Sequence, residues 1–156
     1  MKTLCLYYTR TDTTRLAMER VAKVLGADLA EYTDGKDRSG AIGYLGACVA
    51  SFKKSFPEVS VREDVQLSAY DRVIIGMPVW VEGPCVVGRA FINQFKDSLP
   101  AEVYYVVTHM GNAGYDAKIK AMDNILGREA SGYVSIKTKN NAYLKDAEAF
   151  ANGIKK

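Results

Sequence analysis

Five times along this chain a short apolar run gives way to a stretch whose apolar residues recur at helical spacing, and this alternation restricts the architecture more than any other feature. The clearest run is Asp71-Arg72-Val73-Ile74-Ile75-Gly76-Met77, ended by Pro78 and followed by a helix over residues 85–96. Residues 2–8 (Lys-Thr-Leu-Cys-Leu-Tyr-Tyr) read as a strand buried on both faces, and residues 13–25 place Leu16, Ala17, Val21, Val24 and Leu25 on a helix. A short strand over 27–33 leads through the polar turn Asp34–Gly40 into a helix over 40–54. Its apolar side, Ile42, Leu45, Val49 and Phe52, is expected in the core, with Gly43, Gly46, Ala47 and Ala50 allowing close packing. Val103–Thr108 is a further buried strand, Tyr115–Leu126 a helix, 129–138 the last strand and 143–154 the closing helix. Strands alternating with such helices imply parallel βαβ units with right-handed crossovers and helices on both faces. The expected fold is therefore α/β, a doubly wound three-layer sandwich of five strands and five helices. At 156 residues it is expected to form one domain, 1–156.

Composition narrows the function classes. With 48% hydrophobic and 25% charged residues, the chain matches an ordinary globular protein, and it has no low-complexity tract or repeat period. No run approaches the ~20 apolar residues of a membrane span, and residue 1 leads straight into a strand without a signal-peptide pattern. The expectation is a cytoplasmic protein without a membrane partner. Cys5, Cys48 and Cys85 are odd in number and lack a Cys-x-x-Cys pair, in keeping with a reducing compartment. Cys5 and Cys48 read as small buried hydrophobes, and Cys85 is the one near the ligand loops. His109 is the only histidine, so neither a metal cluster nor a Ser-His-Asp triad has its residues. The net charge of +3 is dispersed along the chain and forms no basic stripe, which argues against nucleic acid.

In a doubly wound sheet, ligands bind outside the carboxyl ends of the strands, where the strand order reverses. Three loops qualify: 9–14, 78–84 and 109–115. In the first, Thr9-Arg10-Thr11-Asp12-Thr13-Thr14 follows a buried strand and opens a helix whose first N–H groups lack partners. An anion fits there, and no metal is needed. Thr11 or Asp12 as an ordinary helix N-cap accounts for the same residues equally well.

Taken together, the three loops resemble the flavodoxin family over essentially the whole chain. The family's phosphate loop reads Thr/Ser-x-Thr-Gly-Asn-Thr, and Thr9, Thr11 and Thr14 match its first, third and last positions. Asp12 stands at the glycine. It adopts a positive φ less readily, and a carboxylate about 4 Å from another unit charge repels it by roughly 1 kcal/mol in water and roughly 4 at an effective dielectric of 20. Asp12 must therefore turn away or be offset, with Arg10 and Arg15 beside it to do so. Met77-Pro78-Val79-Trp80 resembles the segment beside the flavin ring. It places Trp80, the only tryptophan, to stack on an isoalloxazine near the surface, or else to pack under a loop. Thr108-His109-Met110-Gly111-Asn112-Ala113-Gly114-Tyr115 resembles the second ring-contacting loop, with backbone N–H groups toward the pyrimidine edge. His109 there either stabilises reduced flavin by charge or is a plain loop residue, and Tyr115 either flanks the ring or anchors the core. Gly40–Phe52 is similar to a helix of small flavodoxin-like proteins, and no functional residue is carried over from it.

The resemblance implies a parallel sheet of order 2-1-3-4-5 and non-covalently bound flavin mononucleotide (FMN), with no catalytic side chain because the cofactor performs the redox step. It implies electron transfer between redox partner proteins. The positive charge departs from the acidic surface usual in such carriers and favours, as an alternative, a small FMN-dependent NAD(P)H oxidoreductase with a quinone-like electron acceptor. A binding or regulatory module that has lost the flavin is the third reading. Oligomeric state is not encoded in these motifs.

Overall fold

A computed structural model of the protein describes residues 1–52, 56–112 and 114–155. The first strand, β1 (Thr3–Tyr7), is buried along its length and runs through a turn into α1 (Thr13–Leu25), closed by Gly26 in a left-handed C-cap at φ 63. There follow β2 (Asp28–Thr33), α2 (Gly40–Ser51) and a two-residue strand β3 (Ser60–Val61). The long β4 (Arg72–Trp80), a two-residue β5 (Gly83–Pro84) and α3 (Val86–Phe95) come next. The chain ends with β6 (Glu102–His109), α4 (Asp116–Lys120), α5 (Met122–Leu126), β7 (Gly132–Lys137) and α6 (Tyr143–Ile154).

The sheet order is β3-β2-β1-β4-β6-β7. Its parallel part, β2-β1-β4-β6-β7, is the expected order 2-1-3-4-5, and the register runs Leu6↔Ala30, Leu6↔Ile75 and Gly76↔Val106. Among the described residues there are seven strands where five were expected, because β3 pairs antiparallel with the edge of β2 and β5 folds back antiparallel on β4. Two-residue strands carry too little periodicity to be read from sequence.

Alternation along each strand sends its side chains to two cores. Leu4, Leu6, Val73, Ile75 and Val107 meet α3 and α5 through Phe91, Ile92, Met122 and Leu126 on one face. Cys5, Ile74, Val106 and Ile136 meet α1 and α6 through Met18, Val21, Ala147 and Ala151 on the other. Fully burying each Val, Leu, Ile, Phe or Met side chain among them contributes ~1.5–3 kcal/mol.

Three local expectations are corrected. Pro78 does not end its strand. Tyr8 N–H already bonds Gly76 O, so β1 has run out beyond that point, and β4 continues against β6 at Pro78↔Thr108 and against β5 at Trp80↔Gly83. A proline is tolerated there because no strand calls on its missing N–H. The helix expected over 115–126 breaks at Ala121, where Asn124 N–H reaches back only three residues to the Ala121 carbonyl.

The third correction concerns α2, which ends at Ser51; Lys53 and Lys54 of the expected 40–54 helix lie outside the described residues. Its apolar side faces solvent, with Ile42 87% and Phe52 76% exposed and Leu45 and Val49 also exposed. The helix turns its small residues inward instead. Gly43 and Ala47 are buried, and a Cβ on Gly43 would run into the Arg38 backbone. That approach admits no larger side chain, so the bulky ones point outward. Leu45→Gln and Val49→Gln are thus expected to change unfolding free energy by less than ~0.5 kcal/mol. A urea titration checks this, since a core position would lose ~2 kcal/mol or more.

Candidate functional site

At the carboxyl ends of β1, β4 and β6 the loops enclose a hollow of about 310 Å³. Its wall includes Arg10, Thr11, Thr13 and Thr14 of the first loop, Pro78, Val79 and Trp80 of the second, and Thr108, His109, Met110, Gly111 and Tyr115 of the third. Three segments far apart in sequence meet there because parallel strands all end on the same side of the sheet.

Asp12 takes the conformation a glycine would take, φ 64 and ψ −8, with its carbonyl accepting the first helical bond from Leu16 at 3.0 Å. Its carboxylate does not line the hollow and is held 3.0 Å from Arg15 Nε, while Arg15 also reaches Glu19 at 2.7 Å. The wrong-signed charge is thus turned away and paired. Thr13 Oγ1 makes only long 3.5 Å contacts to Thr11, so both hydroxyls stay available to a ligand. Thr14 Oγ1 and Thr108 Oγ1 are 2.7 Å apart and buried, tying the first loop to the end of β6. Thr9 Oγ1 is buried and has no partner among the described residues. Thr9 lines a polar hollow on the other flank of the loop, with Glu31, Lys36 and Arg62.

Trp80 lines the hollow but is not held at the surface, being 7% exposed. Arg38 sits over its ring at 5.0 Å and Tyr8 meets it edge-on at 5.7 Å. Arg38, 6% exposed, is held in turn by two bonds to Asp34, at 2.7 and 2.6 Å. Burial alone raises the Asp34 pKa, but the Arg38 hydrogen bonds and charge outweigh it and hold the carboxyl below its ordinary value. Arg10 bonds the Arg38 carbonyl at 3.5 Å and lies 5.4 Å over the Tyr44 ring.

In the third loop, His109 Nδ1 lies 3.2 Å from the Gly111 carbonyl. A carbonyl only accepts, so that nitrogen carries the hydrogen in this bond. The ring packs on Tyr115 at 4.8 Å, and Tyr115 is buried. Burial and, secondarily, the charge of Lys137 lower the His109 pKa, against the opposing pull of the Gly111 bond, so the imidazole is neutral at pH 7. Asn112 accepts from Lys137 and Gly114 lies beside Asp116, so neither lines the hollow. Ala113 lies outside the described residues.

Sequence reading missed Tyr44, Ala47, Cys48, Val81 and Thr138, which also line the hollow. Only the run of small residues facing inward on α2 signalled its approach. Cys48, not Cys85, is the thiol at the site. Cys85 is buried at the start of α3, accepts from Gly88 N–H, and burial pushes its pKa up to about 12.

No family model and no curated protein matches the chain. Solved structures do. A flavoprotein from Lactobacillus acidophilus NCFM, in complex with FMN, shares 24% identity at a TM-score of 0.72, covering 86% of this chain and 92% of its own. A flavodoxin, WrbA-like protein from Agrobacterium tumefaciens shares 14% identity at a TM-score of 0.61, covering 98% of this chain and 94% of its own. A flavodoxin from the domain Archaea shares 10% identity at a TM-score of 0.62, covering 99% and 96%. With the strand order, the loop positions and these likenesses in agreement, the chain has the flavodoxin-like fold.

Proposed function

We propose that the hollow holds FMN without a covalent bond and that the protein is a flavin-dependent redox protein. The first loop carries this reading. Its Thr11 and Thr13 hydroxyls line the hollow at a helix start with only long contacts to each other, and its one carboxylate is turned outward. A phosphate group supplies acceptors for such hydroxyls and for the unpaired N–H groups of the turn. Thr11 and Thr13, with Arg10 beside them, would hold the phosphate, Thr14 would fix the loop through Thr108, and Pro78–Trp80 with His109–Gly111 and Tyr115 would border the ring. The bound flavin would supply acceptance and return of electrons, and His109 and the surrounding N–H groups would tune it through hydrogen bonding.

The reading requires the phosphate to contribute strongly to affinity. FMN is expected to bind at least ~100-fold tighter than riboflavin, the equivalent of two charge-assisted hydrogen bonds; fluorescence titration of both measures it, and equal affinities would remove the phosphate loop from the account. Asp12→Gly, which keeps the turn and removes the carboxylate, is expected to tighten FMN binding by ~3- to 10-fold at low salt and to leave riboflavin unchanged.

Within this reading we infer an electron carrier between redox partner proteins, since the site assigns no acid, base or nucleophile a role. The net charge of +3 favours a second reading, direct oxidation of NAD(P)H with a small electron acceptor. Steady-state NAD(P)H consumption by the FMN-loaded protein separates them: turnover without any partner protein supports the oxidoreductase, and its absence supports the carrier.

A further inference from the structure

A second cavity, of about 360 Å³, shares only Trp80 and Val81 with the hollow described above. It lies between the β4–β5 turn, the end of α2, Arg89 of α3 and the Lys118–Ile125 stretch of α4 and α5. Its volume falls in the range of small-molecule sites. Its walls set the chemistry of an occupant. Phe52, Trp80, Pro84, Met122 and Ile125 offer apolar and aromatic surface, which suits a flat ring and gives nothing to an inorganic anion. Among the described residues the charged groups are two cations and one carboxylate, Arg89, Lys118 and Glu82.

Arg89 and Lys118 form no ion pair among the described residues. Arg89 Nε donates to the Pro84 carbonyl at 3.1 Å, which fixes the guanidinium against the turn and leaves its terminal nitrogens to a ligand. Trp80 lines both cavities. The Trp80 indole Nε1 is buried and has no acceptor among the described residues, although a buried indole N–H ordinarily finds one. Val81, at the turn, has φ 62, an uncommon and strained value for a β-branched residue. What a valine supplies there, and glycine would not, is an isopropyl group on the wall common to both cavities.

We propose that this second cavity binds a small aromatic carboxylate, its ring against Phe52, Trp80 and Ile125 and its acid group at Arg89 and Lys118. The proposal does not rest on the flavin reading. The test is titration of 2-naphthoate into ¹⁵N-labelled protein, with and without saturating FMN, followed by NMR. Trp80 is the only tryptophan, so the spectrum holds one indole N–H signal, and it is the unpaired one. A saturable shift of that signal together with the amides of Glu82, Arg89 and Met122 is expected, in both the presence and the absence of FMN. The neutral 2-naphthamide should bind ~10-fold more weakly, about the worth of one charge-assisted bond. Arg89→Gln should weaken naphthoate to the same degree without altering naphthamide, and Lys118→Gln, at an exposed position, is a second variant of the same kind.

Absence of a saturable shift overturns the proposal. So do shifts centred on Thr11, Thr13 and His109, equal affinity for naphthamide, or full naphthoate affinity in both variants. The two readings fail separately: naphthoate shifts in a protein that takes up no FMN leave this site standing, and FMN uptake without naphthoate shifts removes it alone.

Discussion

Arg38→Met is expected to destabilise the protein by ~3–5 kcal/mol at pH 7, because it leaves a carboxylate in the interior without its cation. The Asp34 side chain has 0% exposure and receives two bonds from Arg38, whose guanidinium also covers Trp80 at 5.0 Å. Methionine roughly keeps the apolar stem and supplies no charge. The double variant Asp34→Asn/Arg38→Met should recover most of the loss, since removing both partners of a buried pair is far milder than removing one. The pH dependence gives a second readout. In the native protein the Asp34 pKa is lowered, so its contribution is present above the unfolded carboxylate value near 3.9 and fades as the pH falls through the folded value. In Arg38→Met, burial, the largest influence, is opposed only by the N–H and charge of Lys36, so the pKa rises and the sign is expected to reverse. The variant should lose stability as the pH rises through the raised value, and its deficit should shrink on acidification. Urea denaturation between about pH 2 and 7 checks both statements, and a deficit independent of pH would contradict the assignment to Asp34.

Gly43→Ala is the second large effect, at ~1–3 kcal/mol of overpacking strain. The added methyl meets Arg38 backbone atoms, and no flexible side-chain tip is there to yield. To relieve the clash, α2 must move off the 34–39 segment, taking Tyr44, Ala47 and Cys48 from the wall of the hollow. Ligand affinity at the hollow should therefore fall along with stability. Gly46→Ala, three residues along the same helix, has open space around the new methyl. It should stabilise the protein by ~0.5–1 kcal/mol, the ordinary gain of alanine over glycine in a helix. Thermal unfolding of the pair measures the difference between a glycine required by a close approach and one that is not.

These two sites also mark where sequence reading stopped. Long elements were legible because period and apolarity agree in them: α1 and α6 begin and end where their spacing says. The strand-to-helix turn of the first loop was legible, and the need for Asp12 to turn away followed from its charge. The orientation of α2 was not legible. Ile42, Leu45, Val49 and Phe52 form a regular apolar stripe, and nothing local reveals that the Arg38 backbone occupies the space beneath, so that only Gly43 and Ala47 fit inward. Arg38 itself lies in a polar turn that reads as solvent-exposed, yet Asp34 and Trp80 together bury it. Long-range packing decided both cases, and periodicity carries no information about it.

If the hollow at the carboxyl ends of β1, β4 and β6 is an FMN site, the purified protein should retain the cofactor. The most direct measurement is the visible absorption spectrum of the purified protein after addition of excess FMN and removal of the unbound fraction. The account expects one retained flavin per chain, with its bands displaced from those of free FMN by the ordered surroundings. A protein that remains colourless after this treatment would contradict it.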